Sequence, residues 1–173
     1  NAFTTIAKSK VPTIALAHGF CIGGATSLVS ACDIRLATKD AKFSIGETKL
    51  GLVADVGVIQ RMPKIVSSGD MNELALTGRI FDGEHAERIR FVSKAYDNSD
   101  ELFEAGEKLA NEISSNSKRI VQATKQALEK SSNLTIDQGL EYAKLWSTSF
   151  LVSEDLREGV MAFLEKRDPK FNE

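Results

Sequence analysis

Apolar positions along this chain follow two periods, one after the other. In the front part they come as short, tightly bounded runs. Residues 11–17 form a β-branched apolar run and predict a buried strand. Residues 18–24 carry Gly19, Gly23 and Gly24 and predict a turn. Residues 25–32 are apolar enough for a buried helix, and residues 33–38 alternate as a strand does. Lys39-Asp40 predicts a turn, residues 41–45 a further strand, and Gly46 its end. A strand, a helix and a strand within about thirty residues is the pattern of an α/β crossover.

From there the spacing becomes helical. Val58, Ile59, Met62 and Ile65 share one face, with Pro63 imposing a kink or an end. Residues 70–76 predict a short helix closed by Gly78, and residues 82–89 another, followed by a strand-like Phe91-Val92-Ser93. Residues 99–113 place Leu102, Leu109 and Ile113 on one stripe. Ser117 is placed to cap a helix running through Lys130, and Thr135 with Gln138 has the form of a capping box opening a helix to Leu151. Ser153-Glu154-Asp155 opens the last helix with acids in its first turn. The layout is a strand-rich front and a helical back, with no internal repeat.

Composition narrows the class. The 173 residues are 42% hydrophobic, enough for a real core, and the length predicts one domain. Lys and Arg number 22 against 24 Asp and Glu, so a net charge of −2 supplies neither a field for nucleic acid nor a polybasic membrane patch. Cys21 and Cys32 have no metal spacing and read as free thiols of a reducing compartment. Residues 11–31 lack Asp, Glu, Lys and Arg, but Pro12, His18 and the glycines fit strand, turn and helix better than a membrane span. The chain opens at Asn1 without a leader and ends without a peroxisomal tripeptide, so it reads as part of a longer chain.

Candidate chemistry sits at two places. The turn Gly19-Phe-Cys-Ile-Gly23-Gly24 lets backbone approach a ligand. A helix starting at Gly24 points free N–H groups at an anion or a developing oxyanion. The spacing is neither a dinucleotide fingerprint nor a nucleophile elbow, and a purely structural turn is the competing reading. The acids Glu47 and Asp55 flank an apolar loop around Gly51. Two acids at one substrate can remove a proton at one carbon and return one at another, whereas the structural alternative makes both of them caps. Asp33 reads as a structural acceptor or partner of Arg35, His18 as a packed polar residue, and His85 as solvated. Two histidines so far apart give no support to a catalytic triad. Tyr142 and Trp146 lie one helical turn apart and read as core or interface, while Lys166 and Arg167 need a phosphorylated ligand to matter.

Residues 17–28, Ala-His-Gly-Phe-Cys-Ile-Gly-Gly-Ala-Thr-Ser-Leu, followed by Ala31-Cys-Asp-Ile-Arg35, resemble the signature of the crotonase (enoyl-CoA hydratase/isomerase) family. Gly51-Leu-Val-Ala-Asp-Val-Gly57 and Gln60-Arg-Met-Pro-Lys64 resemble its Δ3,5-Δ2,4-dienoyl-CoA isomerase branch. Residues 153–167 match the C-terminal helix, and the similarity runs from Lys10 onward. The resemblance implies an α/β fold of repeated ββα units with a helical C-terminal trimerisation region, the N-terminal part of the fold lying outside this chain. It divides the chain into a core segment, 1–98, with the oxyanion turn and acid loop, and a helical region, 99–173. The N–H of Gly24 falls where the family polarises a thioester carbonyl, the second donor belonging to the part this chain lacks.

The same resemblance puts Glu47 at the family's acid and Asp55 at the extra acid of the isomerase branch. It makes Ile22, Gly23 and Leu52 substrate contacts. Phe163 and Lys166 become contacts to the coenzyme A of a neighbouring subunit. Ser27 departs from the pattern, since the family carries a carboxylate there. The implied activity moves both double bonds of a 3,5-dienoyl-CoA. The alternatives are a Δ3-Δ2-enoyl-CoA isomerase using Glu47 alone, then an enoyl-CoA hydratase or a non-catalytic acyl-CoA-binding subunit, with an acyl-CoA hydrolase behind them. The expected partners are the acyl-CoA thioester and further copies in a homotrimer or hexamer, with no nucleic acid and no membrane span. No cofactor or metal is expected beyond the coenzyme A of the substrate. The implied pathway is fatty acid β-oxidation, in a mitochondrial or peroxisomal matrix if the source is eukaryotic and in the cytoplasm if bacterial.

Overall fold

The computed structural model describes residues 2–171. Where length predicts one domain, the chain forms two compact units. One takes the chain through Ser9 together with Thr13–Lys108, and the other Lys10–Pro12 together with everything from Leu109. The division between the units falls inside a helix, between Lys108 and Leu109.

Every strand among the described residues belongs to the first unit. These are β1 (Ile14–Ala17), β2 (Phe20–Ile22), β3 (Ile34–Thr38), β4 (Lys42–Ser44), β5 (Phe81–Asp82) and β6 (Lys94–Tyr96). They make two sheets of three, ordered β1-β3-β6 and β2-β4-β5. β1 pairs in parallel with β3, and β2 with β4, while β5 runs antiparallel to β4. The pairs β1-β2 and β3-β4 each give their first strand to one sheet and their second to the other, whereas β5 joins β4 and β6 joins β3, the latter in parallel. Helix α2 (Gly24–Ala31) returns the chain from β2 to β3. This is the repeated ββα arrangement expected from the resemblance.

Two strand assignments differ from the hydropathy reading. Residues 18–24 are not wholly turn, because Phe20–Ile22 pairs with Lys42–Ser44. Phe91 and Val92 are not a strand. Arg90 takes a positive φ of 63°, the N–H groups of Phe91 and Val92 both donate to the Ala86 carbonyl, and pairing begins only at Lys94. The apolar pair instead fills the core, where both side chains are fully buried. The short helix α1 (Ala2–Ala7), which no apolar stripe announces, buries none of its residues yet contacts α2.

The remaining helices of this unit follow their local signals. α3 (Val58–Arg61) passes into a 3₁₀ turn at Met62–Lys64, where Pro63 removes the next donor. α4 (Ser68–Thr77) is capped by Ser67, whose side chain accepts from the Asp70 N–H, and it ends on Gly78. α5 (Gly83–Arg88) is capped by Asp82. Phe43, Phe81 and Phe91 form the centre of the core, with ring centroids 5.5 to 6.2 Å apart. His85 is half-buried against Phe81 rather than solvated, and His18 is exposed, edge-on to Phe103 at 5.8 Å, rather than packed inside. Asp33 acts as the structural acceptor, taking the Thr13 N–H at 2.7 Å and its hydroxyl at 2.9 Å.

Helix α6 (Ser99–Ser114) carries the boundary between the units, and its first half packs with the strands through fully buried Leu102 and through Gly106 against Leu16. The second unit is built from α7 (Lys118–Ser131), α8 (Ile136–Phe150) and α9 (Glu154–Glu165). Ser117 caps α7, the Thr135–Gln138 box caps α8, and Ser153 caps α9. α7 and α8 pack together, and this unit carries an open groove of about 750 Å³ lined by Ile120, Trp146, Phe150, Leu156 and Phe171 among others. Among the described residues no helix is long and apolar enough to cross a membrane.

Candidate active site

The site candidates of the first unit gather where β2 and β4 end. The two strands finish their ladder with Ile22 opposite Ser44, and the next residue on one side is Gly23. Gly23 takes φ 56°, a left-handed backbone that costs a glycine little, and this reverses the chain into α2. Its N–H donates to the Ser44 carbonyl at 2.9 Å. No side chain caps α2, so the N–H of Gly24 leads the helix without a partner inside it. The predicted glycine turn therefore opens a helix with free donors.

The other strand delivers the acid. After Ser44 the chain turns into a 3₁₀ segment, Gly46–Leu50, and Glu47 is in its first turn. The segment is tied down by the Thr48 hydroxyl, which donates to the Ala75 carbonyl at 2.7 Å, and by the Leu52 N–H, which donates to the Glu47 carbonyl at 3.0 Å. The Glu47 carboxyl turns back toward Gly23. A methyl added to Gly23 would stand 3.6 Å from Oε1. Oε2 is buried and accepts no hydrogen bond among the described residues. A buried carboxylate oxygen left unbonded is costly, and such groups mark sites of chemistry. No side-chain cap bond opens this 3₁₀ segment.

Gly46 lies against Ile22, since a methyl on Gly46 would meet the Ile22 side chain at 3.9 Å. Leu52 is 61% exposed on the following loop. Asp55 is exposed as well, on a short loop between buried Ala54 and fully buried Val58. That loop is clamped by Arg61, which donates to the Val56 carbonyl at 3.2 Å. Gly57, at φ 110°, leaves room for this guanidinium, and a methyl there would overlap it. Asp55 caps no helix by its side chain; Gly57 precedes α3 without a side-chain cap bond. α3 packs on α2, so the Asp55 loop and the glycine turn are carried by adjoining helices of one unit.

Two further positions matter here. Ser27 is fully buried, its N–H donates to the Gly23 carbonyl, and its hydroxyl has no partner among the described residues. Thr26, also fully buried, bonds both sides of the turn; it lies within the signature stretch 17–28, which assigns it no role. Cys21 lies in β2, where burial pushes its thiol up and a bond to the His18 carbonyl offsets only part of that. A thiol so placed is a poor nucleophile. The second unit carries the other two candidates, Phe163 at 82% exposure and Lys166, exposed at the left-handed end of α9. Among the described residues no group of three or more His, Cys, Asp or Glu could hold a metal ion.

In chemical terms, a carboxylate near a strand-end turn that opens a helix can take a proton from a carbon next to a polarised carbonyl. Comparison with known proteins gives the family. The sequence profile of the enoyl-CoA hydratase/isomerase family matches residues 1–173, and the chain belongs to that family. It is 51% identical over 166 residues to a mitochondrial Δ(3,5)-Δ(2,4)-dienoyl-CoA isomerase of Dictyostelium discoideum, covering 96% of this chain and 57% of that one. It is 42% identical over 170 residues to the peroxisomal protein of that name in Arabidopsis thaliana, covering 98% and 61%. The crystal structure of an enoyl-CoA hydratase from Bacillus anthracis superposes with a TM-score of 0.91 at 29% identity, over 98% of this chain and 65% of the other. The chain thus spans 57% and 61% of the two curated relatives.

Proposed function

We propose that the protein is an acyl-CoA double-bond isomerase that converts a 3,5-dienoyl-CoA into the 2,4-dienoyl-CoA. The observation that supports this best is the Glu47 carboxyl, with one oxygen buried and without a partner among the described residues, turned toward Gly23 just before α2. The thioester oxygen binds at the Gly24 N–H and a second donor. Ile22, Gly23 and Leu52 line the acyl group. Glu47 takes a proton from the carbon next to the carbonyl, and the electron pair spreads over the conjugated dienolate, whose oxygen the fixed donors stabilise. Asp55 delivers a proton to the far carbon of the diene, so both double bonds move and the atoms balance. The thioester is the electron sink, and the reaction draws on no redox group or metal.

The wider reading follows the same line. Phe163 and Lys166 contact the coenzyme A nucleotide of a neighbouring subunit in a trimer or hexamer, an ammonium suiting a phosphate. A mitochondrial or peroxisomal matrix and a role in fatty acid β-oxidation belong to this reading, supported by relatives whose names carry the words mitochondrial and peroxisomal. Hydration is disfavoured by Ser27, a hydroxyl where a second carboxylate base is needed.

A second reading has one observation in its favour: Asp55 is exposed while Glu47 is partly buried. A Δ3-Δ2-enoyl-CoA isomerase with Glu47 as its only acid would look the same. Absorbance of the conjugated product from a 3,5-dienoyl-CoA separates the two. Glu47→Gln is expected to lose about 10²- to 10⁴-fold in kcat, and Asp55→Asn a loss in the same range. Full activity in Asp55→Asn would establish the single-acid enzyme, and full activity in both variants would end both readings.

A further inference from the structure

We infer that Thr26 is a positioning residue, whose hydroxyl fixes the Gly24 amide relative to the Glu47 carboxylate; this rests on the isomerase reading above. Gly24 and Glu47 sit on different segments, one opening a helix and the other following a strand, and no bond joins them directly. Thr26 is fully buried, and its hydroxyl is where these segments meet. It donates to the carbonyl of Cys21, the middle residue of β2. It accepts the Ser44 N–H at 3.3 Å and stands 3.0 Å from the Ser44 carbonyl. That same carbonyl takes the Gly23 N–H.

A hydroxyl has one proton and two acceptor sites, so a donation to Cys21 leaves it free to accept from Ser44. The outcome is a closed link from β2 through the first turn of α2 to the end of β4. Thr26 stands two residues after Gly24, and Ser44 three before Glu47. A displacement of either strand end would change the distance from the helix-leading donor to the acid, the distance that proton abstraction beside a bound carbonyl depends on. Burial alone would be satisfied by any side chain of this shape, so the hydroxyl itself is what needs a role.

The test uses the native-length protein and the variants Thr26→Ser, Thr26→Cys and Thr26→Val. Octanoyl-CoA, which has no double bond to move, serves as a binding probe whose carbonyl stretch is read by difference infrared spectroscopy. The wild type is expected to shift that band, and Ser to keep both the shift and kcat within about threefold. Val is expected to lose about 10- to 100-fold in kcat with KM nearly unchanged, and with the shift diminished. Cys, a weak donor of similar size, is expected to fall between them at an unaltered melting temperature, which keeps the test decisive if Val does not fold. Equal kcat and equal band positions across the series, with only melting temperature changing, would overturn the positioning role. A wild type that neither turns over dienoyl-CoA nor shifts the band would overturn the isomerase reading itself, and the positioning role with it.

Discussion

The two units bury their apolar residues in opposite ways. In the first, Phe43, Phe91, Met62 and Val58 are sealed completely, and the polar groups beside them are bonded across strand ends. In the second, Phe163, Leu164, Leu145 and Val152 are 68% to 99% exposed, and only Ala123, Ala162 and a few polar groups are fully covered. The first unit holds the Gly23-Gly24 turn at the end of β2, an edge strand paired with the central β4. The second relies on capped helices and leaves a broad apolar surface, the composition of a protein interface more than of a free surface. Candidate acid and donor sit in the unit with the sealed core, while the proposed nucleotide contacts sit in the unit with surface to spare.

The sharpest way to break this contrast is to truncate one large apolar residue in each unit. Phe43→Ala removes a ring at the centre of three stacked and edge-on aromatics, and is expected to cost about 3–5 kcal/mol in chemical denaturation. Phe163→Ala, from an exposed position, is expected to change the stability of the isolated chain by less than about 0.5 kcal/mol. Comparable losses from both would mean that Phe163 is covered in solution and that the contrast belongs to the single chain alone.

How much of this the sequence carries depends on the range of the signal. The capping box at Thr135, the caps at Ser117 and Ser153, and the helix end at Gly78 are each decided within four residues, and each was legible. β2 was not, because three residues between glycines become a strand only by pairing with Lys42–Ser44, twenty-two positions away. Phe91 and Val92 look like a strand because core residues and strand residues are drawn from the same apolar set. For the site, the motif pointed to Gly24 and Glu47, yet their nearness follows from strand register, which no local pattern encodes. Asp55 was placed in apolar surroundings by its neighbours in sequence, and its side chain is exposed. Thr26 lies within the signature stretch 17–28 yet gets no role from it, since a hydroxyl in a buried helix declares its partners only in three dimensions.

A smaller effect sharpens the comparison on the helical side. Ser117 is 4% exposed and works twice, accepting the Ile120 N–H at 3.3 Å and donating to Asp155 Oδ2 at 2.5 Å. It therefore joins the start of α7 to the first turn of α9. Ser117→Ala is expected to cost about 1–2 kcal/mol, the range of a lost cap. Trp146, the one tryptophan of the chain, lies in this unit beside Phe150 and reports the transition by its fluorescence. A variant whose fluorescence transition matches the wild type would show that helix packing, not capping, holds this unit together.

The smallest expected effect is a dependence on acid at the end of the second unit. Arg167 donates to both carboxylate oxygens of Glu158, at 2.6 and 3.1 Å, and the Lys170 N–H donates to Oε1 at 2.7 Å. These bonds, the Arg167 guanidinium first, hold the Glu158 carboxyl down at about 2 against an ordinary 4.5. A carboxyl depressed by folding contributes its stability above its unfolded value and loses it as pH falls through the folded one. The contribution is therefore complete above about pH 4.5 and fades toward pH 2. The pair is open to solvent, so salt screening keeps it weak. Amide hydrogen exchange at Lys170 is expected to quicken over that window in the wild type. In Glu158→Gln it should already be fast at neutral pH, and 1 M salt should narrow the difference. An exchange rate at Lys170 with the same pH dependence in both proteins would mean that the segment is held by the apolar packing of Phe171 against Gly159 instead.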